Sequence, residues 1–311
     1  MVWCQKHLRR VVFCASVPDR AADMRLDTPS FRLRHAMDLT SLLNYPGALP
    51  AMSRTVADLM SEMNRDDPSP KRVAELIGQD PSLTTRVLRL SNSAFFRASR
   101  RIGSAEEAVA MLGMTHVRSL VMAAALASSF KNVPGVHLPQ FWRYSLRVAD
   151  IAKSLAAVLN QSVSNAYTAG LIHAIGDLVM HIAMPDDIAP LDMGTPPLDL
   201  QRAAAERLRF GYTFGDVGAG LVERWHFPQD IVNALKHQAQ PFEGEVYEPL
   251  AGTLHLAAWR ARAEEIQLDD SGLAATFPDL VGLTLGLDLG SVLGKDPEEW
   301  AFSDVLTVFL D

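Results

Sequence analysis

The chain has 311 residues, of which 48% are apolar and 21% charged, with a net charge of −7. That length is enough to bury a sizeable core as one large or two smaller domains. The composition is globular rather than disordered, and the acidic balance argues against general affinity for nucleic acid. The average hides an asymmetry: residues 1–101 hold 16 Lys+Arg against 10 Asp+Glu, while residues 102–311 hold 13 against 26. Only Cys4 and Cys14 occur, so no disulfide framework is expected, which fits a reducing cytoplasm. No run approaches about 18 uninterrupted apolar residues, so no membrane span is expected.

In chain order, residues 1–35 carry charge and proline without sustained periodicity, and are expected to form a poorly ordered N-terminal extension. The apolar run Val11–Val17 is short and Asp19-Arg20 follows at once, unlike a signal peptide. From Leu39 onward the pattern is helix after helix. Met52, Val56, Leu59, Met60 and Met63 repeat at three and four. Ser69-Pro70 and Asp80-Pro81 each read as an N-cap followed by proline at the first helical position. Ser104-Ala-Glu-Glu107 reads as a capping box, Gly113 as a stop and Thr115 as a new cap. Val133–Pro139 reads as a loop between two lobes. Phe141–Leu159 is helical, Tyr167–Ile175 is a short helix bearing His173, and Met184–Pro197 reads as a proline-rich surface loop. Helices follow to Phe210, from Thr213 to Trp225, and from Pro228 to His237. Period-2 alternation of useful length is absent. The expected fold is all-α, an N-terminal helical lobe packed on a second one.

Several blocks carry chemistry. They are D-P-S-L-T at 80–84, R-L-S-N-S-A-F-F at 89–96, E-E-A-V-A-M-L-G at 106–113, F-W-R-Y-S at 141–145, G-L-I-H-A-I-G-D at 170–177 and D-V-G-A-G-L-V-E-R-W-H-F-P at 216–228. In this order they resemble the HDOD family, the HD-related output domains, from about Leu42 to His237. The resemblance implies a helical lobe packed on a lobe built like HD-type phosphohydrolases, and a regulatory output module. On that basis residues 36–240 form the HDOD domain, with lobes at about 36–132 and 139–240, and residues 241–311 form a C-terminal helical extension.

Set against the HD pattern, the ligand positions depart almost throughout. Tyr144 and Ser145 stand near the first histidine's place, Ala174 replaces the aspartate after His173, and Phe214 stands where another histidine would precede D-V-G-A. His237 survives and is followed by Gln238. A two-metal site needs several N and O ligands with supporting hydrogen bonds. The residues His173, Ala174, Phe214 and His237 therefore read as a vestigial site, with Phe214 expected to fill the pocket it borders. No catalytic residue, no metal and no cofactor is expected. His173 and Asp177 have i,i+4 spacing that could clamp one ion, but a buried structural histidine is the favoured reading.

A second feature is basic. Arg86, Arg89, Arg97, Arg100 and Arg101 cluster around the N-S-A-F-F block and form a candidate interaction surface for a carboxylate- or phosphate-bearing partner. The helix–turn–helix spacing at Ser69–Asn92 offers only Arg86 and Arg89 to read bases, so nucleic acid is disfavoured. The expected function is a non-catalytic bacterial signalling module acting through protein–protein interaction. Its expected partner is a histidine kinase, a response regulator or a cyclic-di-GMP enzyme. The alternative is a receptor that binds a phosphate-bearing nucleotide second messenger without hydrolysing it.

Overall fold

A computed structural model describes residues 37–45, 54–63, 65, 67–92, 100–244 and 246–293. The N-terminal extension, Phe95, Phe96 and Arg97 lie outside the described residues, as does the chain after Leu293. Among the described residues every regular element is a helix.

The N-terminal group begins with α1 (Leu39–Leu43), α2 (Arg54–Met63), α3 (Pro70–Gly78) and α4 (Pro81–Ser91). The caps do what their side chains allow. Ser69 accepts from the Arg72 N–H, and Asp80 accepts from Ser82 and Leu83 at 2.8 and 3.1 Å, each ahead of a proline at N1. Val56, Leu59, Met60 and Met63 then meet Val73, Leu76 and Ile77 in the core. Asn92 ends α4 and ties it to Ile102. Its side chain donates to the Ile102 carbonyl and accepts from the Ile102 N–H, both at 2.9 Å.

Helix α5 (Ala105–Ser129) packs on α2, α3 and α4 and also reaches the second group of helices. It is two helices joined at Gly113, whose φ of 75° only glycine adopts cheaply. The Ser104 hydroxyl caps it, but Glu107 bonds the Gly103 N–H, not that of Ser104, so the capping box is half formed.

The second group is built on α6 (Leu138–Val158), α7 (Val163–Ile172) and α8 (Ile175–Ala183). The stretch Val163–Ala183 is apolar enough to pass as a membrane span, but 89% of it is buried inside the protein, as a core segment would be. Two glycines permit this. At Gly170 a Cβ would come within 2.5 Å of the Ala149 backbone on α6. At Gly176 it would come within 2.0 Å of the Phe214 carbonyl on the facing helix.

The segment expected to be a surface loop is instead α9 (Pro185–Gly194), with Pro185 at its start and Pro190 inside it. Proline at N1 and Asp186 and Asp187 in the first turn favour a helix start, and they outweigh the breaker. Beyond it lie α10 (Arg202–Phe210), α11 (Phe214–Arg224) and α12 (Gln229–His237). Gly211 ends α10 in the left-handed region, and Thr213 with Asp216 forms a complete capping box for α11.

Helix α13 (Pro249–Glu265) packs against α6, α7 and α12, so the helical lobe continues past residue 240. Short helices α14 (Asp270–Thr276), α15 (Asp279–Leu285) and α16 (Leu289–Leu293) follow, the last two packed against α13. Leu83, Trp142 and Leu171 are core residues, whereas Leu88 and Trp225 are only half-buried at its margin.

Candidate functional site

Helices α6, α8, α11 and α13, with residues 238–240 just past α12, surround a cavity of about 870 Å³, and residues 196–204 form one edge of it. Its wall includes Tyr144, His173, Ala174, Asp177, Phe214, Gln238 and His255. His173 and Ala174 sit at the junction of α7 and α8, not within one helix. The short turn there sets both residues in the cavity wall.

His173 is buried, and its Nδ1 lies 2.8 Å from the Gly170 carbonyl. A carbonyl can only accept, so Nδ1 carries the proton. Burial lowers the pKa of His173 from 6.5 to about 4 against the opposing pull of that carbonyl, so the ring is neutral. The Tyr144 ring lies 5.5 Å from it, and the Tyr144 hydroxyl donates to the Ala258 carbonyl at 3.1 Å. Burial also pushes that phenol well above its ordinary range.

Beside His173, Gln238 donates to the His173 carbonyl at 2.8 Å and to the Leu235 carbonyl at 3.0 Å. The Gln238 carbonyl in turn accepts from His255 Nδ1 at 2.7 Å. Burial lowers the His255 pKa as well. Gln238 thus ties the His173 backbone to the His255 imidazole.

Asp177 begins a separate charged cluster at the cavity's edge. Arg202, almost wholly buried, directs Nη2 to Asp177 at 3.4 Å, Nη1 to Asp192 at 2.6 Å and Nε to Glu206 at 2.7 Å. Its Nη1 also donates to the Thr195 carbonyl. His181 places Nε2 3.0 Å from Asp192 and Nδ1 2.8 Å from the Asp177 carbonyl. The second Glu206 oxygen accepts from the Phe214 N–H at 2.7 Å, at the first turn of α11. Burial, with the Asp177 charge adding to it, pushes Glu206 up to about 7, opposed by the Phe214 N–H and by Arg202. Asp177, His181, Asp192, Arg202 and Glu206 therefore satisfy one another across α8, α9 and α10, with the Phe214 N–H of α11 as a further donor.

These positions correct parts of the sequence reading. His237 does not line the cavity; it lies at the end of α12 beside Gly244, and Gln238 takes the inward place. The signal for this was available. Ile231, Ala234 and Leu235 are the buried stripe of α12, and Gln238 continues it at i+3 and i+4, whereas His237 falls off it. Phe214 borders the cavity without filling it. Asp177 is not paired with His173, since its carboxylate turns to Arg202 and His181.

His255 had no sequence signature, but on α13 it shares a face with Ala258, Trp259 and Arg262, all of which line the cavity. The basic cluster is elsewhere, around the end of α4. Arg86 is half-buried, Arg89 and Arg101 are exposed, and Arg100 is paired with Glu107 at 3.0 Å.

The blocks that build this arrangement are those of a recognised domain. The HDOD domain model matches residues 49–241. The chain belongs to the HDOD family. In structure this HDOD protein resembles a candidate phosphohydrolase of Shewanella amazonensis SB2B, with a TM-score of 0.73 and 28% identity over 89% of this chain and 99% of that one. It also resembles an HDOD domain protein from Geobacter sulfurreducens, with a TM-score of 0.68 and 22% identity over 88% of this chain and 98% of that one. That second likeness shows the shared fold. An uncharacterized protein of Treponema pallidum is 24% identical over 212 residues, or 67% of this chain and 41% of that relative. YuxH of Bacillus subtilis is 34% identical over 61 residues, or 20% of this chain and 15% of that relative. The HDOD chain spans less than half the length of these curated relatives.

The neutral burial of His173 makes a pH prediction. The folded protein gives up the imidazole proton more readily than the unfolded chain does, so acid favours unfolding. Stability is fully present above pH 6.5, the ordinary value, and is lost as the pH falls towards about 4. The contribution is on the order of 3 kcal/mol at full extent, and His255 acts in the same direction. Urea midpoints should fall more steeply over this window in the native protein than in a His173→Asn variant. Parallel slopes would show that His173 titrates as it does in water.

Proposed function

We propose that the protein is a non-catalytic signalling module that acts by binding another signalling protein. The expected partner is a histidine kinase, a response regulator or an enzyme of cyclic-di-GMP metabolism. The observation that carries this reading is the content of the cavity wall. Tyr144, Ala174, Phe214 and Gln238 occupy it beside His173 and His255, while the nearby carboxylate of Asp177 is committed to Arg202 and His181. Among the described residues no group of three or more His, Cys, Asp or Glu is placed to hold a metal ion. A two-metal hydrolase needs several such ligands to position water and to neutralise the leaving phosphate.

The Shewanella relative is named for phosphohydrolase chemistry, so hydrolysis is the reading to test. The purified protein supplied with Mn²⁺, Fe²⁺ or Zn²⁺ is expected to turn over neither bis(p-nitrophenyl) phosphate nor a cyclic dinucleotide. Ala174→Asp is expected not to restore activity and to lose about 1–3 kcal/mol through an unpaired carboxylate at a half-buried junction. Metal-dependent turnover by the native chain would overturn the non-catalytic reading. The partner half is tested by co-purification from the native host, followed by titration with the purified candidate. A kinase, regulator or cyclase that binds in the micromolar range supports it.

A further inference from the structure

We propose that the cavity is a binding site for a planar, uncharged heterocycle that donates N–H groups, of the class presented by nucleobases and nucleosides. At about 870 Å³ the space is within the range of small-molecule sites, and its wall is largely apolar and aromatic. Phe141, Tyr144, Phe214 and Trp259 contribute rings to that wall. Flat π-systems gain offset or edge contacts with such rings beyond simple area burial.

The polar groups specify what the ligand must bring. His173 and His255 each spend Nδ1–H on a backbone carbonyl, Gly170 and Gln238 respectively. In a neutral ring the other nitrogen is then a bare acceptor. Neither Nε2 has a hydrogen-bond partner among the described residues, and neither is sealed away in the packed core. Two such acceptors in the cavity lining call for a ligand with N–H donors.

The charges argue against a phosphate. Asp177, Asp192, Asp199 and Glu265 line the cavity against only Arg202 and Arg262. Arg202 is consumed by three carboxylates, and Arg262 gives Nε to the Leu198 carbonyl while its buried Nη1 has no partner among the described residues. An anion entering here would meet one unpartnered N–H, that of Arg262, among bare nitrogen lone pairs and more carboxylates than arginines, whereas a base offers a carbonyl to that N–H without adding charge. The phosphate-bearing messenger suggested by the sequence is therefore a poorer match than its base alone.

This proposal stands independently of the partner reading. Calorimetric titration of the full chain with adenosine, guanosine, uridine, cyclic di-GMP and ZnCl₂ tests it. At least one nucleoside is expected to bind one-to-one, more tightly than the cyclic dinucleotide. His255→Phe, which removes one acceptor, is expected to weaken that binding about tenfold. Should that variant fail to fold, Ala203→Trp narrows the half-buried rim of the cavity and is expected to abolish binding. The proposal is overturned if no nucleoside binds at millimolar concentration, or if cyclic di-GMP binds tighter than every nucleoside. It is equally overturned if zinc alone binds through His173 and His255.

Discussion

Arg202→Met is expected to cost about 3–5 kcal/mol of folding stability, which for a chain of this size lowers the melting temperature by roughly 10 °C. The magnitude comes from what is left behind. Asp177, Asp192 and Glu206 all point at one guanidinium, and Arg202 and Glu206 are both essentially without solvent access. Methionine matches the length of the stem but leaves three carboxylates without their common cation. Burial alone already pushes Glu206 up, so with Arg202 gone it protonates and the repulsion is only partly relieved. Arg202→Lys restores charge but not the three-way fork, so it should recover only part of the loss. Chemical denaturation of the three proteins decides the matter. A methionine variant within about 1 kcal/mol of the native protein would mean that the cluster is stabilised by water instead.

Gly176→Ala is expected to be more damaging still, with little folded protein recovered. A Cβ there would stand 2.0 Å from the Phe214 carbonyl oxygen and 2.6 Å from the Gly218 nitrogen. Both obstacles are backbone, so α8 and α11 must separate along a shared face of the core. Overpacking of even a yielding site costs about 1–3 kcal/mol, and this site has nothing flexible to yield. The same substitution at Gly78, the last residue of α3, meets nothing within 4 Å. There it should stabilise by a few tenths to about 1 kcal/mol, because alanine is the better helix former. Melting curves of the two variants should move in opposite directions, and a Gly176→Ala protein that melts near the native temperature would refute the close approach.

Local signals made much of the helical order legible in the sequence. The Ser69-Pro70 and Asp80-Pro81 starts, the Gly113 break and the Thr213 cap are each decided by one or two residues acting on their own neighbours, and each is found in place. Signals of opposite sign within one segment were harder. Four prolines between 185 and 197 read as a loop, but Pro185 starts a helix and Pro190 is tolerated inside one.

The site was legible only in part, for a related reason. His173, Ala174, Tyr144 and Phe214 sit in recognisable blocks, and all four border the cavity. Residue type points to His237, whereas helical phase places Gln238 inward. The Arg202 cluster left no trace, because its members come from three helices and meet only after packing. A sequence displays neighbours along the chain, and this cluster has few.

Arg202 also decides what the centre depends upon. An ion-dependent site must capture its cation from solution, holds it with a finite affinity, and surrenders it to a competitor. Here the positive charge facing Asp177, Asp192 and Glu206 is made with the polypeptide, one per molecule. Chelators have no purchase on it, and a cell short of transition metals assembles this part of the protein as readily as a cell well supplied.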